Sequence, residues 1–492
     1  MASPPTHVAL RAAWLSCLLA GALAHGASQS DPAVAAVPPV GTEAPSAVRP
    51  PPTLTPGIGA AQATSRAADL IARGYTEQEW WLGGTAQVHD RAGSRSEDGR
   101  WAARPRAGSA RPYQTRLLVR RPADPSRFNG IVLVEWLNST LKFDLDGGWI
   151  LLRDEILREG YAWVGVSVQA EALPGLLALG PHRYDVLRLP GDAYAWDVYG
   201  DALQTVRQHA QRLLGIPAPP RLRLLGVGYS QSAVFLTTWL NAFEPVQRRL
   251  DGALLHGAAP VAAPLNGDEG HAFAPRLRAD LNRPVMQVQT EMEVSVSWPL
   301  SKTPDTASVR YWEVAGAAHL DADVQAETRA VAPRDWLDSE PVCLKPLNAL
   351  PLRHADAAAL HALRRWVVDG VPPPTVPRMG RGPLGFLAHD DDGNVLGGLR
   401  LPEIDAPLAR FGTYGNVSRG WPSVRGLYTC IAGGSTVPLS AERLQRRYGD
   451  RASWLRAVQT SADRLLQSGL LRPADHALTL ETARRTPWPA AR

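Results

Sequence analysis

At 492 residues the chain can build one large α/β domain with additions or two ordinary domains. Its 45% hydrophobic and 20% charged residues describe a soluble globular protein rather than a disordered or membrane-spanning one. The net charge of +5 comes from scattered basic residues. Only Lys142, Lys302 and Lys345 among the 52 are lysines, and without a run of five or more Lys/Arg no nucleic-acid partner is expected.

Along the chain, Arg11 precedes the apolar run Ala12 to Ala24, which closes on Ala22-Leu23-Ala24. This pattern predicts a cleaved secretory signal over residues 1–24, a mature start near His25 and a periplasmic or secreted destination. The run is shorter than the roughly 20 residues that cross a bilayer as a helix, so no integral membrane segment is expected after cleavage. Cys17 would leave with the signal. Cys343 and Cys430 would remain, in a compartment that permits a disulfide between them without requiring one. Residues 25–66 read as a Pro/Ala-rich disordered tether, because the eight prolines from Pro32 to Pro56 favour extended backbone and supply no core.

Order is expected from about Ala67, as one domain over residues 67–480. Strand-like runs at Glu77 to His89 and Tyr113 to Arg121 come first. Apolar runs then alternate with amphipathic segments. Strands are predicted at Ile131 to Glu135, Ala162 to Val168, Leu222 to Val227, Leu250 to Leu255, Val285 to Gln289 and Val309 to Val314. Helices are predicted at Ile150 to Glu159, Asp197 to Leu214 and Ala233 to Ala242, then at Ala355 to Val368 and around Ala441 to Ser468. The alternation is that of βαβ units. It implies an α/β fold with a mainly parallel central sheet flanked by helices, N-terminal strands and a C-terminal helical extension.

The strand ending at Val227 runs into Gly228-Tyr229-Ser230-Gln231-Ser232 and a helix follows at once. In a nucleophile elbow the serine sits on a strained turn, so the residues two before and two after it must be small. Gly228 and Ser232 meet that demand, although Ser232 stands where Gly is usual, and taken alone these residues also fit a turn without chemistry. Chain order supports the first reading, since this architecture supplies serine, acid and histidine in that sequence. His319 follows the last predicted strand through Ala315-Gly316-Ala317-Ala318. Glu293, Glu291 or Asp305 would be the acid, with Glu293 preferred because the acid commonly lies a few residues past its strand. His319 would take the Ser230 proton, and the oxyanion would be met by the N–H of Gln231 and one from Trp136, Leu137 or Asn138.

Several phrases together resemble one family, the alpha/beta hydrolase domain proteins of bacteria and fungi. They are Phe128-Asn129-Gly130, Val134-Glu135-Trp136-Leu137-Asn138, Arg183-Tyr184, Pro190-Gly191-Asp192-Ala193-Tyr194 with Asp197, and Gly228 to Ser232. Thr290-Glu291-Met292-Glu293, Ala315 to His319 and Asp392 to Pro402 complete the set. The resemblance implies the α/β-hydrolase fold and hydrolysis of a small-molecule ester. The family's acid often reads as Asp after Thr-Glu-x, the place of Glu293 here, and this departure keeps Glu291 in contention.

Asp390 to Asn394 starts like a calcium loop, but the twelfth position is Leu401, so a tight turn is expected. No Walker loop, HExxH or CxxC pair is found, and no cofactor or metal is expected. The alternatives to an exported esterase are a secreted binding protein of the same fold and an acyltransferase or peptidase using the same triad.

Overall fold

The computed structural model describes residues 49–61, 70–94, 96, 98–215, 221–266, 272–273, 276–297, 303–332, 342–419 and 424–488. The expected signal and much of the expected tether lie outside the described residues.

One sheet organises the chain. Its strands are β1 (Thr53–Pro56), β2 (Tyr75–Ala86), β3 (Arg111–Pro122), β4 (Ile131–Trp136), β5 (Ala162–Val166), β6 (Arg223–Tyr229), β7 (Gly252–His256), β8 (Val285–Thr290) and β9 (Val309–Val314). They lie in the order β1-β2-β3-β5-β4-β6-β7-β8-β9. Pairings are antiparallel from β1 to β5 and parallel from β5 to β9. The parallel strands are buried along nearly their whole length and largely apolar, as suits a sheet covered on both faces.

The helices used below are α1 (Gly147–Glu159), α2 (Ala195–Gln208), α3 (Gln231–Ala242), α4 (Glu291–Ser297), α5 (Ala322–Val331), α6 (Leu352–Asp369), α7 (Val424–Gly433), α8 (Ala441–Tyr448), α9 (Arg451–Gln467) and α10 (Pro473–Arg485). Neighbouring strand residues point to opposite layers. Leu133 and Leu254 pack in one core with Trp149 and Ile156 of α1 and Leu360 and Leu363 of α6. Val134 and Leu255 pack in the other with Trp196 and Tyr199 of α2 and Trp239 of α3. The strand order reverses at β4 and β6, and the crevice outside the carboxyl ends of the strands at such a reversal is where this architecture places ligands.

Thr53–Pro56, inside the expected tether, instead pairs with Trp80 to Gly83 as the edge strand, with Leu54 buried. Its prolines sit at and before an edge, where the missing N–H costs no ladder bond. The single helix expected around Ala441 to Ser468 is two, α8 and α9, because Gly449 at φ 73 ends the first and the Asp450 carboxylate caps the second. The turn expected at Asp390 to Asn394 is present: the Asp390 carboxylate accepts the N–H of Asp392 and Asn394, and Asp392 pairs with Arg443 and Arg447. Among the described residues no helix is long and apolar enough to cross a membrane.

Two buried carboxylate arrangements fasten the layers. Glu135 of β4 accepts the N–H groups of Gly148 and Trp149 at the start of α1 and the indole N–H of Trp163, while burial and nearby Asp146 push its carboxyl up to about 8. A Cβ on Gly148 would lie 2.8 Å from the Glu135 carboxylate, so the glycine is needed for the close approach. Arg120 of β3 lies over the rings of Trp149 and Trp163, at 4.3 and 4.6 Å from their centroids, and bonds Asp146 at 2.7 Å.

Cys343 and Cys430 form a disulfide with Cα atoms 5.5 Å apart. It ties the segment before α6 to α7, whose Ala432 carbonyl accepts the N–H of Leu320 at 3.0 Å. A bridge closing a loop of 87 residues restricts the unfolded chain. Replacing both cysteines with serine is therefore expected to lower the unfolding free energy by about 2–4 kcal/mol in a urea titration. An unchanged midpoint and slope would show that the bridge contributes nothing.

Candidate active site

β6 delivers Ser230 to the carboxyl edge of the sheet with φ 59 and ψ −121. A non-glycine residue in such a conformation costs on the order of 1–3 kcal/mol and is held only by its surroundings. Here the holding contacts are clear. A Cβ on Gly228 would come within 2.8 Å of Ala233 Cα and the Ser232 carbonyl, so strand and helix cross too closely for any side chain there. Ser232 is buried, and its hydroxyl accepts the Tyr229 N–H at 2.9 Å and donates to the Tyr229 carbonyl at 2.8 Å. The serine in place of the usual glycine thus braces the turn. The Ser230 N–H donates to the His256 carbonyl at 2.9 Å.

His319 leaves β9 by the Ala315 to Ala318 turn and reaches back to the elbow. Its Nε2 lies 2.8 Å from Ser230 Oγ and its Nδ1 lies 2.7 Å from Glu293 Oε1. Glu293 and His319 are both buried. The second Glu293 oxygen accepts the N–H and the hydroxyl of Thr290. Burial opposes ionisation of Glu293, but the charge and hydrogen bond of His319 and the hydroxyl of Thr290 prevail and hold its carboxyl below the ordinary value. Thr290-x-x-Glu293 is half of a helix capping box, in which the carboxylate three residues into α4 accepts the N–H of the residue before it. That spacing was visible in the sequence and fixes how the Glu293 carboxylate is held, while its contact with His319 distinguishes it from Glu291.

The other two acid candidates lie elsewhere. Glu291 Oε2 accepts the Gly316 N–H at 2.8 Å and Oε1 accepts the Thr413 hydroxyl at 3.3 Å, so this carboxylate fastens the turn that carries His319. Asp305 precedes β9, at the end of that strand opposite His319, and accepts the Tyr311 N–H.

Of the expected oxyanion donors, Leu137 and Asn138 require correction. The Leu137 N–H donates to the Val166 carbonyl at 3.2 Å and the Asn138 N–H to the Leu145 carbonyl at 3.0 Å. Hydrogen bonding to β5 continues past the end of β4, and a bridge to Leu145 claims the next residue. Asn138 contributes its side chain instead, donating from Nδ2 to the Tyr229 carbonyl at 2.9 Å. Trp136 is buried in an aromatic cluster with Trp196, Tyr199 and Phe235. The first residue past these commitments is Ser139, whose N–H and hydroxyl both donate to Gln231 Oε1 at 3.1 Å. Gln231 heads α3, where backbone N–H groups lack partners within the helix and the helix dipole favours negative charge. Ser139 was missed because the sequence does not mark where the bonding of a strand stops.

Burial pushes the Glu291 carboxyl up from 4.5 to about 7, against the hydrogen bonds from Gly316 and Thr413. A raised native value means that the folded state binds more protons than the unfolded one between those values, so this group's contribution falls as pH rises through that window. Glu291→Gln keeps an acceptor for Gly316 without the charge. It is expected to remove part of that fall, gaining stability relative to the parent above about pH 7. Urea titrations at about pH 5 and pH 8 would check it. Parallel losses in both proteins would contradict the buried, proton-binding carboxylate.

No curated protein matches the chain. Among solved structures, a glucuronoyl esterase from Solibacter usitatus aligns at 13% identity and a TM-score of 0.29, over 55% of this chain and 82% of that one. An esterase from Rhizomucor miehei aligns at 15% identity and 0.27, over 50% and 82%. The family described as alpha/beta hydrolase domain matches residues 43–481. With that match and a mainly parallel sheet flanked by helices, the chain belongs to the alpha/beta hydrolase domain family and has its fold.

Proposed function

We propose that the protein is an exported serine hydrolase that cleaves small carboxylic esters through an acyl-enzyme on Ser230. The observation that carries the proposal is the continuous contact from Ser230 Oγ through His319 to Glu293, built on a strained turn at the carboxyl edge of the sheet. With Glu293 accepting from Nδ1–H, Nε2 of His319 is the free base beside the hydroxyl.

In the first half-reaction His319 Nε2 takes the Ser230 proton as Oγ attacks the ester carbonyl, and the carbonyl π pair moves onto oxygen. The N–H groups of Gln231 and Ser139 are the donors for that oxyanion, with the Ser139 hydroxyl beside them. Gln231 Oε1, an uncharged amide oxygen, accepts from the same Ser139 donors and so stands in for a substrate oxygen at that place. Collapse of the intermediate breaks the bond to the alcohol, which leaves with the proton from His319. Water then repeats the sequence on the acyl-enzyme, giving its proton to His319 and releasing the acid and Ser230. Glu293 orients the imidazole and stabilises its charged form in both halves.

Export is supported by the Arg11 and Ala12 to Ala24 pattern and by the disulfide, which oxidising compartments maintain. Protein recovered from its native host is expected to begin at or near His25, and Edman sequencing that found Met1 would refute export by this signal.

Hydrolysis of a panel of short and long acyl p-nitrophenyl esters tests the chemistry. Ser230→Ala is expected to lower kcat by about 10³-fold or more, and Glu293→Gln by roughly 10⁴-fold with KM little changed. Glu291→Gln is expected to keep most of the activity. Equal rates for parent and Ser230→Ala would remove Ser230 from the mechanism, and a folded Glu293→Gln at the parental rate would remove Glu293.

A further inference from the structure

A second histidine–carboxylate pair lies directly behind the first. His256 ends β7, and its Nδ1 is 2.8 Å from Asp356 Oδ1 of α6, with both side chains buried. The three residues before it, Ala253, Leu254 and Leu255, are apolar and buried. A buried ion pair is seldom the most stabilising choice for such a position, since apolar residues of similar size commonly serve as well or better.

His256 touches the proposed catalytic group at several points. Its carbonyl accepts the Ser230 N–H at 2.9 Å. Its ring lies 5.5 Å from the ring of Tyr229, which stacks on the His319 ring at 5.4 Å with an interplanar angle of 15°. The Tyr229 hydroxyl donates to the His319 carbonyl at 2.7 Å. The next residue, Gly257, has φ 58. A Cβ there would lie 3.2 Å from the Cε1 and Nδ1 atoms of His319 and 3.8 Å from Glu293 Oε2, so the backbone after His256 forms the wall against which the imidazole rests.

Resting on the reading of Ser230 as nucleophile, we propose that His256, held by Asp356, is a positioning residue of the Ser230–His319–Glu293 group. Its main-chain carbonyl holds the Ser230 N–H whatever the side chain, while its imidazole acts on His319 through the ring of Tyr229 and on Glu293 electrostatically. The acidic groups facing it are Asp356 on α6, Glu293 on α4 and Asp321 before α5. Burial disfavours its protonation, but the charge and hydrogen bond of Asp356 outweigh burial and raise His256 above its ordinary value. The imidazole gives the buried Asp356 its hydrogen-bonded partner, and any proton it carries favours the ionised form of Glu293. Removing the imidazole leaves the buried Asp356 carboxylate without that partner, and an uncompensated negative charge there would favour the charged form of His319, which cannot accept the Ser230 proton.

The test is the rate at which a fluorophosphonate labels Ser230 in the full chain, followed from about pH 5 to pH 9. The proteins compared are the parent, His256→Gln, Tyr229→Phe and the double variant His256→Gln/Asp356→Asn, with melting temperatures recorded alongside. His256→Gln should move the acid limb of the profile upward by about half a unit, which is roughly threefold slower labelling on the acid side. The double variant, which removes both charges, should bring the limb back toward the parent. Tyr229→Phe keeps the ring stack but loses the contact with the His319 carbonyl, and it should label about tenfold more slowly at every pH. A structural role alone would lower the melting temperature without shifting the limb. A parental profile in His256→Gln overturns the inference whatever Tyr229→Phe does; if His256→Gln does not fold, a parental rate in Tyr229→Phe overturns it. A parent that the probe leaves unlabelled overturns the reading of Ser230 instead.

Discussion

The crossing of β6 and α3 at Gly228 forces Ser230 into a backbone conformation that it would not adopt by itself, and much of the surrounding structure serves to hold it there. The Ser232 hydroxyl grips both backbone groups of Tyr229, Asn138 adds a second donor to the Tyr229 carbonyl, and the His256 carbonyl takes the Ser230 N–H. Those contacts come from the segment just past β4, from β7 and from α3, so the elbow is fixed by elements in and against the sheet. The strain is thereby distributed over a rigid core instead of being left to a loop.

Placement of the other two groups follows the same logic. Glu293 does two jobs with its two oxygens, one accepting the Thr290 N–H and hydroxyl at the start of α4 and the other facing His319. Its orientation is therefore locked by the helix that carries it. His319 depends on Glu291, whose carboxylate holds Gly316, and on α7, whose Ala432 carbonyl holds Leu320. The disulfide at Cys430 anchors that helix. A carboxylate in the turn, a capping carboxylate and a covalent bridge together leave the imidazole little freedom. This suits the role proposed for His319, which asks it to meet Ser230 Oγ and Glu293 in one geometry.

What the sequence disclosed was mostly what short-range patterns encode. The runs at Val285 and Val309 marked β8 and β9 to within one residue, because their β-branched and other apolar residues suit strands covered on both faces, even with Gln287, Gln289 and Glu313 among them. The small residues at 228 and 232 marked the elbow, since the crossing of strand and helix leaves no room for larger ones at 228 and the hydroxyl at 232 bonds the turn. Thr290-x-x-Glu293 showed, as a capping pattern, how the Glu293 carboxylate is held at the start of α4. The errors arose where distant segments decide. Leu54 could be buried only once Trp80 to Gly83 offered an edge, and Leu137 and Asn138 lost their N–H groups to Val166 and Leu145. The Tyr229, His256 and Asp356 assembly joins residues up to 127 positions apart in the chain, and no local pattern announces it.

The most direct measurement of the central claim is mass spectrometry of the intact and digested protein after reaction with a fluorophosphonate. One phosphonyl group per chain, carried by Ser230 and absent from Ser230→Ala, is the expected result. An unmodified chain, or a label that persists on another residue in Ser230→Ala, would contradict the assignment of Ser230 as the activated nucleophile.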